Sequence, residues 1–355
     1  MFHRFTLAVL LVTGFATSLS LGMAAGAPGA PDTADQSAIQ EAARWIRREN
    51  KIETEYRYVM TCKVRFVFFW GGRDDVGGGY VHIGKAAGDE RQQMVQILFG
   101  SDPTKAPLSI NRWGAGTEVL RSQDSGQPAS SAFFGFMKSS KGQSVLAMRS
   151  ELSKEKSNGA HLFEGIISRV DQDRALTTSV PYKSDQDFDF NEYGEAEKAA
   201  LHELENDPAR HIGRVDGGAG RACPRVGGFL TTILQLMSDA TAGHPTPESL
   251  CYIYNARHYT ATLTGVQPVA AKNVHVQLHA NSGTLDRAYR HLQDAHFEVV
   301  CQETGTKTTF DIVLGTEGNL RGTPIQINYQ PNWWFQVVLN LIPNVVPPNT
   351  PGQAH

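Results

Sequence analysis

Residues 55–70, EYRYVMTCKVRFVFFW, are the stretch of the chain that decides its fold class. The stretch is dense in aromatic and β-branched residues, and a run of this composition predicts one long β-strand. Arg57, Lys63 and Arg65 occupy positions of the same parity. They are therefore expected on one face of that strand, which would be its more solvated face.

The segment that follows is rich in glycine. Gly71–Gly79, GGRDDVGGG, is predicted to be a turn region. Beyond it, short apolar or alternating runs separated by polar turns predict more strands, and their spacing predicts an antiparallel meander. The candidate strands of this half are Tyr80–Ile83, Met94–Phe99, Glu118–Arg121, Ala132–Lys138, Ser144–Glu151 and His161–Asp171.

Helical patterns flank and divide the strands. Residues 31–53 contain a candidate helix that Asp35 or Ser37 can cap. An acidic stretch then leads into a predicted helix, Glu195–Leu204, and a short apolar helix, Phe229–Met237, follows. Between the last two, Gly213–Gly220 is predicted to be a flexible turn or linker.

A second β-rich segment begins at Tyr252. Gly315–Gly322 is predicted to be a structural turn within it. The candidate strands are Tyr252–Val266, Asn273–His279, Ala295–Gln302, Thr308–Leu314, Thr323–Tyr329 and Trp333–Leu341.

These elements predict a mainly β protein with a few helices, of the α+β class. We expect a curved antiparallel sheet or open barrel, with two β-rich halves joined by a helical segment as the alternative. A single sheet fits the helices better, because a helix needs a face to cover. The expected segments are an N-terminal helix with β-meander (28–180), an acidic and helical stretch (181–240), a C-terminal β-rich segment (241–346) and a disordered tail (347–355).

The N-terminus has the pattern of a secretory signal peptide, assigned to residues 1–27. His3 and Arg4 give a basic start, Phe5–Leu21 is apolar, and small residues follow. The mature protein is therefore expected in the periplasm or outside the cell. We expect no integral membrane protein after cleavage, because no later segment is long and apolar enough to span a bilayer. An uncleaved anchor is the alternative.

Charge and composition exclude some function classes. The formal net charge is −3 and no long basic run occurs, which argues against a nucleic-acid partner. Thirty-four glycines with 19% charged residues suit a turn-rich β-protein.

Four cysteines are present, and a secreted location would permit disulfides. Cys223 and Cys251 bracket the apolar helix, so a bond between them would fasten that helix to the next strand. Cys62 and Cys301 both lie in predicted strands and form a candidate cross-sheet pair. Four free buried thiols are the alternative. No CxxC spacing occurs, which disfavours a zinc or thiol-redox site.

The best local candidate for ligand binding lies in GSDPTKAPLSINRWG, residues 100–114. Asn111, Arg112 and Trp113 place a donor, a cation and an indole side by side, a set that suits an anionic or sugar-like ligand. The structural alternative is a turn in which Arg112 stacks on Trp113. Trp333 and Trp334, in YQPNWWF (329–335), are the second candidates, since their rings would either line an apolar cavity or complete the core.

The other polar patterns point to structure rather than catalysis. Asp74 and Asp75 suit a turn, and adjacent carboxylates on a strand point to opposite faces. Asp185, Asp187 and Asp189 resemble a calcium loop, but Phe190 stands where that loop needs glycine. No HExxH, GxSxG or phosphate-loop motif occurs, so no catalytic residue, metal site or cofactor is assigned, and a non-enzymatic protein is favoured.

Three blocks of the sequence carry a resemblance to a family. They are Phe229–Met237 followed by CYIYNARHYTATLTGV (251–266), DDVGGG (74–79) and GSDPxxAPxxINRWG (100–114). In this respect the chain resembles uncharacterised secreted proteins of the bacterial envelope, which are distantly similar to lipoprotein-carrier-type half-barrels. Ala256 stands where the family pattern has glycine. The resemblance implies a curved antiparallel sheet that wraps helices around an apolar cavity, and it brings no catalytic residues.

Together these observations favour a periplasmic or secreted protein that binds an apolar or amphipathic envelope ligand such as a lipid. An envelope protein is a further partner to consider. The alternatives are a secreted hydrolase acting on envelope lipid or carbohydrate, and a structural protein of an envelope assembly. A pocket with two carboxylates, or with a histidine beside a serine, would favour the hydrolase.

Overall fold

The structure is a computed structural model, and it describes thirteen stretches of the chain. These are residues 33–66, 69–106, 113–122, 128–138, 161–171, 174–184, 192–206, 212–216, 227–255, 257–270, 275–280, 283–288 and 291–342. The predicted signal peptide, the strand Ser144–Glu151 and the disordered tail lie outside these stretches. So do the aspartates of the calcium-like pattern.

One antiparallel sheet of fourteen strands dominates the described residues, which confirms the mainly β class and favours the single sheet over two halves. The first half contributes β1 (Asn50–Phe66), β2 (Phe69–Ala86), β3 (Asp89–Ser101), β4 (Trp113–Ser122), β5 (Pro128–Lys138), β6 (His161–Val170), β7 (Arg174–Ser184) and β8 (Gly213–Asp216). The second half contributes β9 (Glu248–Tyr254), β10 (Arg257–Val269), β13 (Leu292–Cys301), β14 (Lys307–Gly315), β15 (Pro324–Asn332) and β16 (Phe335–Ile342), while β11 (His275–Ala280) and β12 (Gly283–Ala288) form a separate hairpin.

The strand order explains how the halves join. The sheet runs β8-β7-β6-β5-β4-β3-β2-β1-β16-β15-β14-β13-β10-β9, so the first strand of the chain pairs with the last at its middle. The long strand β1 thus has β2 on one side and β16 on the other.

The two edges, β8 and β9, do not pair by backbone hydrogen bonds within the described residues, so the sheet is not closed into a barrel. They approach through side chains, since Ile253 of β9 packs in one apolar cluster with Val170 and Ala175, and Val215 of β8 packs against that cluster.

Three helices cover the two faces of the sheet. They are α1 (Thr33–Ile46), α2 (Tyr193–Asn206) and α3 (Phe229–Ala242). On one face, helices α1 and α2 pack over β3–β7 around Trp113, Phe134 and Ile167. We call this the outer face. On the other, here the inner face, α3 packs in a larger apolar cluster that draws residues from nearly every strand.

Helix α1 is held to the sheet by a buried carboxylate. Asp35 is 1% exposed and pairs with Arg174 of β7 at 3.0 Å and with Arg214 of β8. Trp45 at the other end of the helix lies under Arg169, whose guanidinium carbon is 3.9 Å from the ring centroid. These contacts attach the first helix to the far edge of the sheet.

Helix α3 begins against a carboxylate from another element. Glu118 of β4 is completely buried and accepts hydrogen bonds from the backbone N–H groups of Gly228 (2.9 Å) and Leu230 (2.8 Å) and from the Thr231 hydroxyl (2.6 Å). A negative group here satisfies donors that a helix leaves free and complements its dipole. The carboxylate lies so close to Gly228 that a Cβ there would be 2.8 Å from its oxygen, which explains the glycine. Burial raises the pKa of Glu118, and these hydrogen bonds oppose that rise.

The glycine-rich segment after the first strand is not a turn, so that prediction was wrong. Residues 71–79 run inside β2, which begins at Phe69, opposite Phe66 of β1. A Cβ on Gly79 would overlap the backbone carbonyl of Leu98 in β3. Glycine in a strand thus marks a close backbone approach, and here it accompanies a bulge between Met60 and Cys62 with Asp75 at positive φ.

Several other boundaries differ from the sequence predictions. The expected single strand Tyr252–Val266 is a hairpin of β9 and β10 that turns at Asn255, a residue in the left-handed region. Strands β7 and β12 were not predicted, and β8 lies in the segment predicted as a linker. The three helices were predicted, but α3 continues five residues past Met237. No helix in the described stretches is long and apolar enough to cross a membrane.

The cysteine prediction is wrong for one pair. Cys62 and Cys301 are free thiols. Three strands separate β1 from β13, which is roughly 19 Å along the sheet at about 4.8 Å per strand, far beyond disulfide reach. Cys251 is disulfide-bonded, but Cys223 lies outside the described residues. The Cys223–Cys251 bond therefore stays a prediction.

The contact between Glu118 and α3 predicts a specific loss of stability. We expect Glu118→Ala to lower the free energy of unfolding by about 3 kcal/mol, because it leaves buried N–H groups without acceptors. Urea unfolding followed by circular dichroism measures this. Glu90→Ala, which removes an exposed carboxylate from β3, is the control and should leave the midpoint unchanged. An equal effect of the two substitutions would contradict the anchoring role of Glu118.

Candidate functional site

A cavity of about 130 Å³ lies between α3 and the inner face of the sheet. Almost all of its lining is apolar. The helix contributes Phe229, Leu230, Ile233, Leu234 and Met237. The sheet contributes Tyr56, Val81, Ile83, Val95, Ile97, Phe99, Phe310, Ile312, Ile327, Tyr329 and Leu339, with Thr308, Gly322 and Pro324 completing the wall.

The local sequence explains why this lining is apolar. In β3, Val95, Ile97 and Phe99 alternate with polar or outward residues, as expected of a strand with one face turned inward. Helix α3 carries apolar residues around most of its surface, which is typical of a helix enclosed by other elements. Ile233 and Leu234 are nevertheless only half-buried, because the cavity lies beside them.

Two buried tyrosines of β9 pack against Phe229, a residue of the cavity wall, without lining the cavity themselves. Tyr252 and Tyr254 of β9 contact the ring of Phe229, with centroid distances of 5.6 and 6.4 Å. Neither hydroxyl has a hydrogen-bond partner among the described residues, although both are buried. Burial raises the pKa of both phenols, so they are neutral donors at any ordinary pH. Such groups suit a polar atom of a ligand whose apolar part occupies the cavity.

The outer face carries a second, polar cleft of about 410 Å³ beside the start of α2. Its floor is the glycine run of β2, and Arg57, Tyr80 and Tyr193 contribute to its walls. At one side, the Lys105 ammonium lies 3.1 Å from Asp75 and 3.7 Å from Asp102.

Asp102 of this cleft is held as an anion. Its carboxylate accepts hydrogen bonds from the Thr104 hydroxyl at 2.6 Å and from the Thr104 backbone N–H at 2.9 Å. These bonds, with the nearby Lys105, lower the pKa of Asp102. The group therefore suits a permanent negative charge better than proton donation.

A chain of polar side chains crosses the outer face from strand to strand. His82 bonds through Nε2 to Glu55 (2.9 Å) and through Nδ1 to Gln96 (3.3 Å), while Gln96 donates to Thr117 (3.1 Å).

Glu197 of α2 ends this chain. It lies 3.5 Å from the Thr117 hydroxyl and accepts a 2.6 Å bond from the Tyr193 hydroxyl. Burial raises the pKa of Glu197, and the two hydroxyl bonds oppose that rise. The chain therefore joins α2 to the outer face of β4, and it touches the polar cleft at Tyr193.

The structure separates the ligand-binding residues expected from sequence. Asn111 and Arg112 lie outside the described residues. Trp113 is 0% exposed in the outer-face core, with its ring edge-on to Tyr193 at 6.0 Å. Its expected stacking with Arg112 lies outside the described residues. Trp333 and Trp334 form the turn between β15 and β16, where Trp333 is 65% exposed and Trp334 packs partly on the inner-face cluster. Neither residue lines the cavity.

Two groups of a histidine with two carboxylates bring ligand atoms within 4.8 Å of one another. Asp239, His244 and Glu248 lie at the end of α3, and Asp294, His296 and Asp311 lie on β13 and β14. His296 already bonds Asp311 at 2.6 Å, and His244 lies 3.5 Å from both of its carboxylates. We assign no metal to either group.

Comparisons with known proteins give little guidance. No protein-family model and no curated protein matches the sequence. Among solved structures, the chain is similar to a β-barrel-like protein of the domain of unknown function DUF1849 from Brucella abortus. The identity is 8%, the alignment covers 82% of this chain and 97% of that chain, and the TM-score is 0.39. A likeness of this degree supports no conclusion about function.

The raised pKa of Glu197 predicts a pH dependence of stability. In the unfolded chain this carboxyl ionises near its ordinary pKa of 4.5, whereas in the folded protein it keeps its proton to higher pH. Between the two values the unfolded state holds fewer protons, so the free energy of unfolding falls as pH rises. We expect Glu197→Gln to remove this fall, measured by urea unfolding at a series of pH values. The exposed neighbour Glu195→Gln should keep it, and equal pH profiles for all three proteins would contradict the role of burial.

Proposed function

We propose that the protein binds an apolar or amphipathic molecule, such as a lipid of the cell envelope, between α3 and the inner face of the sheet. The observation that carries the proposal is the apolar cavity of about 130 Å³ at that place. A cavity of about 150 Å³ with similar lining takes up benzene in another protein, so this one suits a ring or a short segment of an acyl chain. Apolar surface lost from water on binding would supply the affinity.

The hydroxyls of Tyr252 and Tyr254, which have no hydrogen-bond partner among the residues that the structure describes, favour an amphipathic ligand over a plain hydrocarbon. A ligand with its chain in the cavity and an oxygen or phosphate near Phe229 would accept hydrogen bonds from these phenols. That pairing would remove the cost of leaving buried donors unsatisfied.

The position of α3 suggests how a longer chain would enter. The helix connects the two edge strands, β8 and β9, which meet only through side chains. Its first turn is fixed by Glu118, whereas Ile233 and Leu234 further along are only half-buried. We therefore propose that a long ligand enters beside the middle of α3, at Ile233 and Leu234, rather than at its start.

The predicted signal peptide supports a place in the periplasm or outside the cell, and the resemblance to lipoprotein-carrier-type half-barrels points the same way. A carrier in that compartment would hand its ligand to or from an envelope partner. Both the location and the partner are proposals that rest on the sequence alone.

The hydrolase alternative has one observation in its favour, the two carboxylates of Asp75 and Asp102 in the polar cleft. Lys105 bridges both, and the lowered pKa of Asp102 removes it as an acid catalyst. The third alternative, a structural envelope protein, gives no role to the apolar cavity. Of the three proposals, only the carrier gives a role to the apolar cavity in the interior.

A variant that fills the cavity tests the proposal. We expect the fluorescent fatty acid cis-parinaric acid to bind the protein, and Ile233→Trp to weaken that binding about tenfold, since the new ring takes up the space. Fluorescence titration measures both.

Ser238→Trp is the matched control, because it adds the same ring to an exposed position of the same helix. It should bind the probe like the unmodified protein. The proposal fails if the unmodified protein does not bind the probe, or if Ile233→Trp binds it equally well. Thermal unfolding of each variant shows that the fold is retained.

A further inference from the structure

The two hairpin tips at one end of the sheet expose aromatic side chains. Phe69 is 68% exposed, Trp70 40% and Trp333 65%, and these three make up most of the large apolar side chains exposed in the described residues. Phe69 and Trp70 begin β2, and Trp333 lies in the turn between β15 and β16.

The register of the sheet makes the two tips neighbours. Val64 of β1 pairs with Phe335 of β16, and the Arg65 backbone N–H donates to the Trp334 carbonyl at 2.8 Å. The exposed aromatics of both hairpins are therefore parts of one patch. We call Phe69, Trp70 and Trp333 the aromatic tips.

The first of these hairpins projects beyond β3, while β16 runs beside β1 on the other side as far as Phe335. Strand β3 pairs with β2 only from Gly77 onward, whereas β1 and β2 remain paired down to Phe66 and Phe69. The residues of β2 before Asp75 thus extend past β3 by about 20 Å at roughly 3.3 Å per residue. Side chains on a projecting tip can insert into a neighbouring surface while the rest of the protein stays outside it.

The charges around the tips are positive. Arg65 pairs in register with Trp70, Lys63 lies two residues before Arg65, and Arg73 follows on β2. Arg65 and Arg73 are exposed. Among the nearest acidic side chains, Asp75 pairs with Lys105, whereas Asp74 accepts a 2.9 Å bond from the Thr61 hydroxyl and keeps its negative charge. The three cations around the tips therefore outnumber this one carboxylate.

We infer that the aromatic tips dock on a lipid bilayer that carries anionic headgroups. Tryptophan and phenylalanine bury their rings at the boundary between headgroups and acyl chains, and flanking arginine and lysine are attracted to anionic lipid. A protein partner would also fit exposed aromatics, but a cationic rim around protruding tips matches the charge of a membrane surface. The inference stands independently of the cavity, which no residue of the tips lines.

Binding of the full chain to phosphatidylcholine vesicles with and without phosphatidylglycerol tests the inference by co-sedimentation. We expect Trp333→Ser to weaken binding about tenfold and Arg65→Gln about fivefold, the latter only on vesicles with phosphatidylglycerol. The controls Ile52→Ser and Lys51→Gln change the same kinds of exposed residue at the opposite end of β1 and should bind like the unmodified protein.

Each outcome separates one explanation from another. All variants share the same N-terminal apolar segment, so equal binding by all of them would assign the affinity to that segment and overturn the inference. The protein could instead fail to bind vesicles and form a dimer in light scattering that Trp333→Ser dissociates. That result would overturn the inference and assign the tips to contact with a second copy of the chain. Ile233→Trp should bind vesicles normally, so failure of the cavity proposal and failure of this one are distinguishable.

Discussion

The buried carboxylate of Glu118 is the interaction on which the interior of this protein depends. It comes from the middle of β4 and receives the first turn of α3, which fixes the helix inside the curve of the sheet. Without an acceptor there, the free N–H groups of the helix would be buried without partners, a cost of a few kcal/mol. Because α3 is held at its start and enclosed along one side, an apolar cavity remains between the helix, from Phe229 to Met237, and the strands.

The sheet shares this dependence on α3. Its edges β8 and β9 are joined in sequence by the segment that contains the helix, and they meet in space through Val215 and Ile253. The segment that links the two edge strands in the chain therefore also contains the helix that packs on the inner face of the sheet. The outer face is covered differently, by α1 through Asp35 and by α2 through the polar chain that ends at Glu197. One sheet therefore separates an apolar interior from a polar cleft.

The sequence predicts the class of the fold well because its strongest signals are local. The composition of residues 55–70 identifies β structure without tertiary information, although the predicted single strand was wrong at its end, where Phe69 and Trp70 belong to β2. The apolar spacing within residues 31–53 likewise identifies helix α1. The same reasoning fails for Gly77–Gly79, because glycine is required there by the close approach of the β1 and β3 backbones and not by a turn. Glu118, Tyr252 and Tyr254 carry no local signal, since their roles arise only when β4, α3 and β9 meet. The apolar surface of α3 was the one sequence feature that could have pointed to an enclosed helix.

Native mass spectrometry of the protein purified from the envelope of its own host tests the central claim most directly. The account predicts an adduct with the mass of a lipid, which disappears after extraction with organic solvent. A mass equal to that of the protein alone, before any extraction, would contradict the claim that the interior holds an envelope ligand.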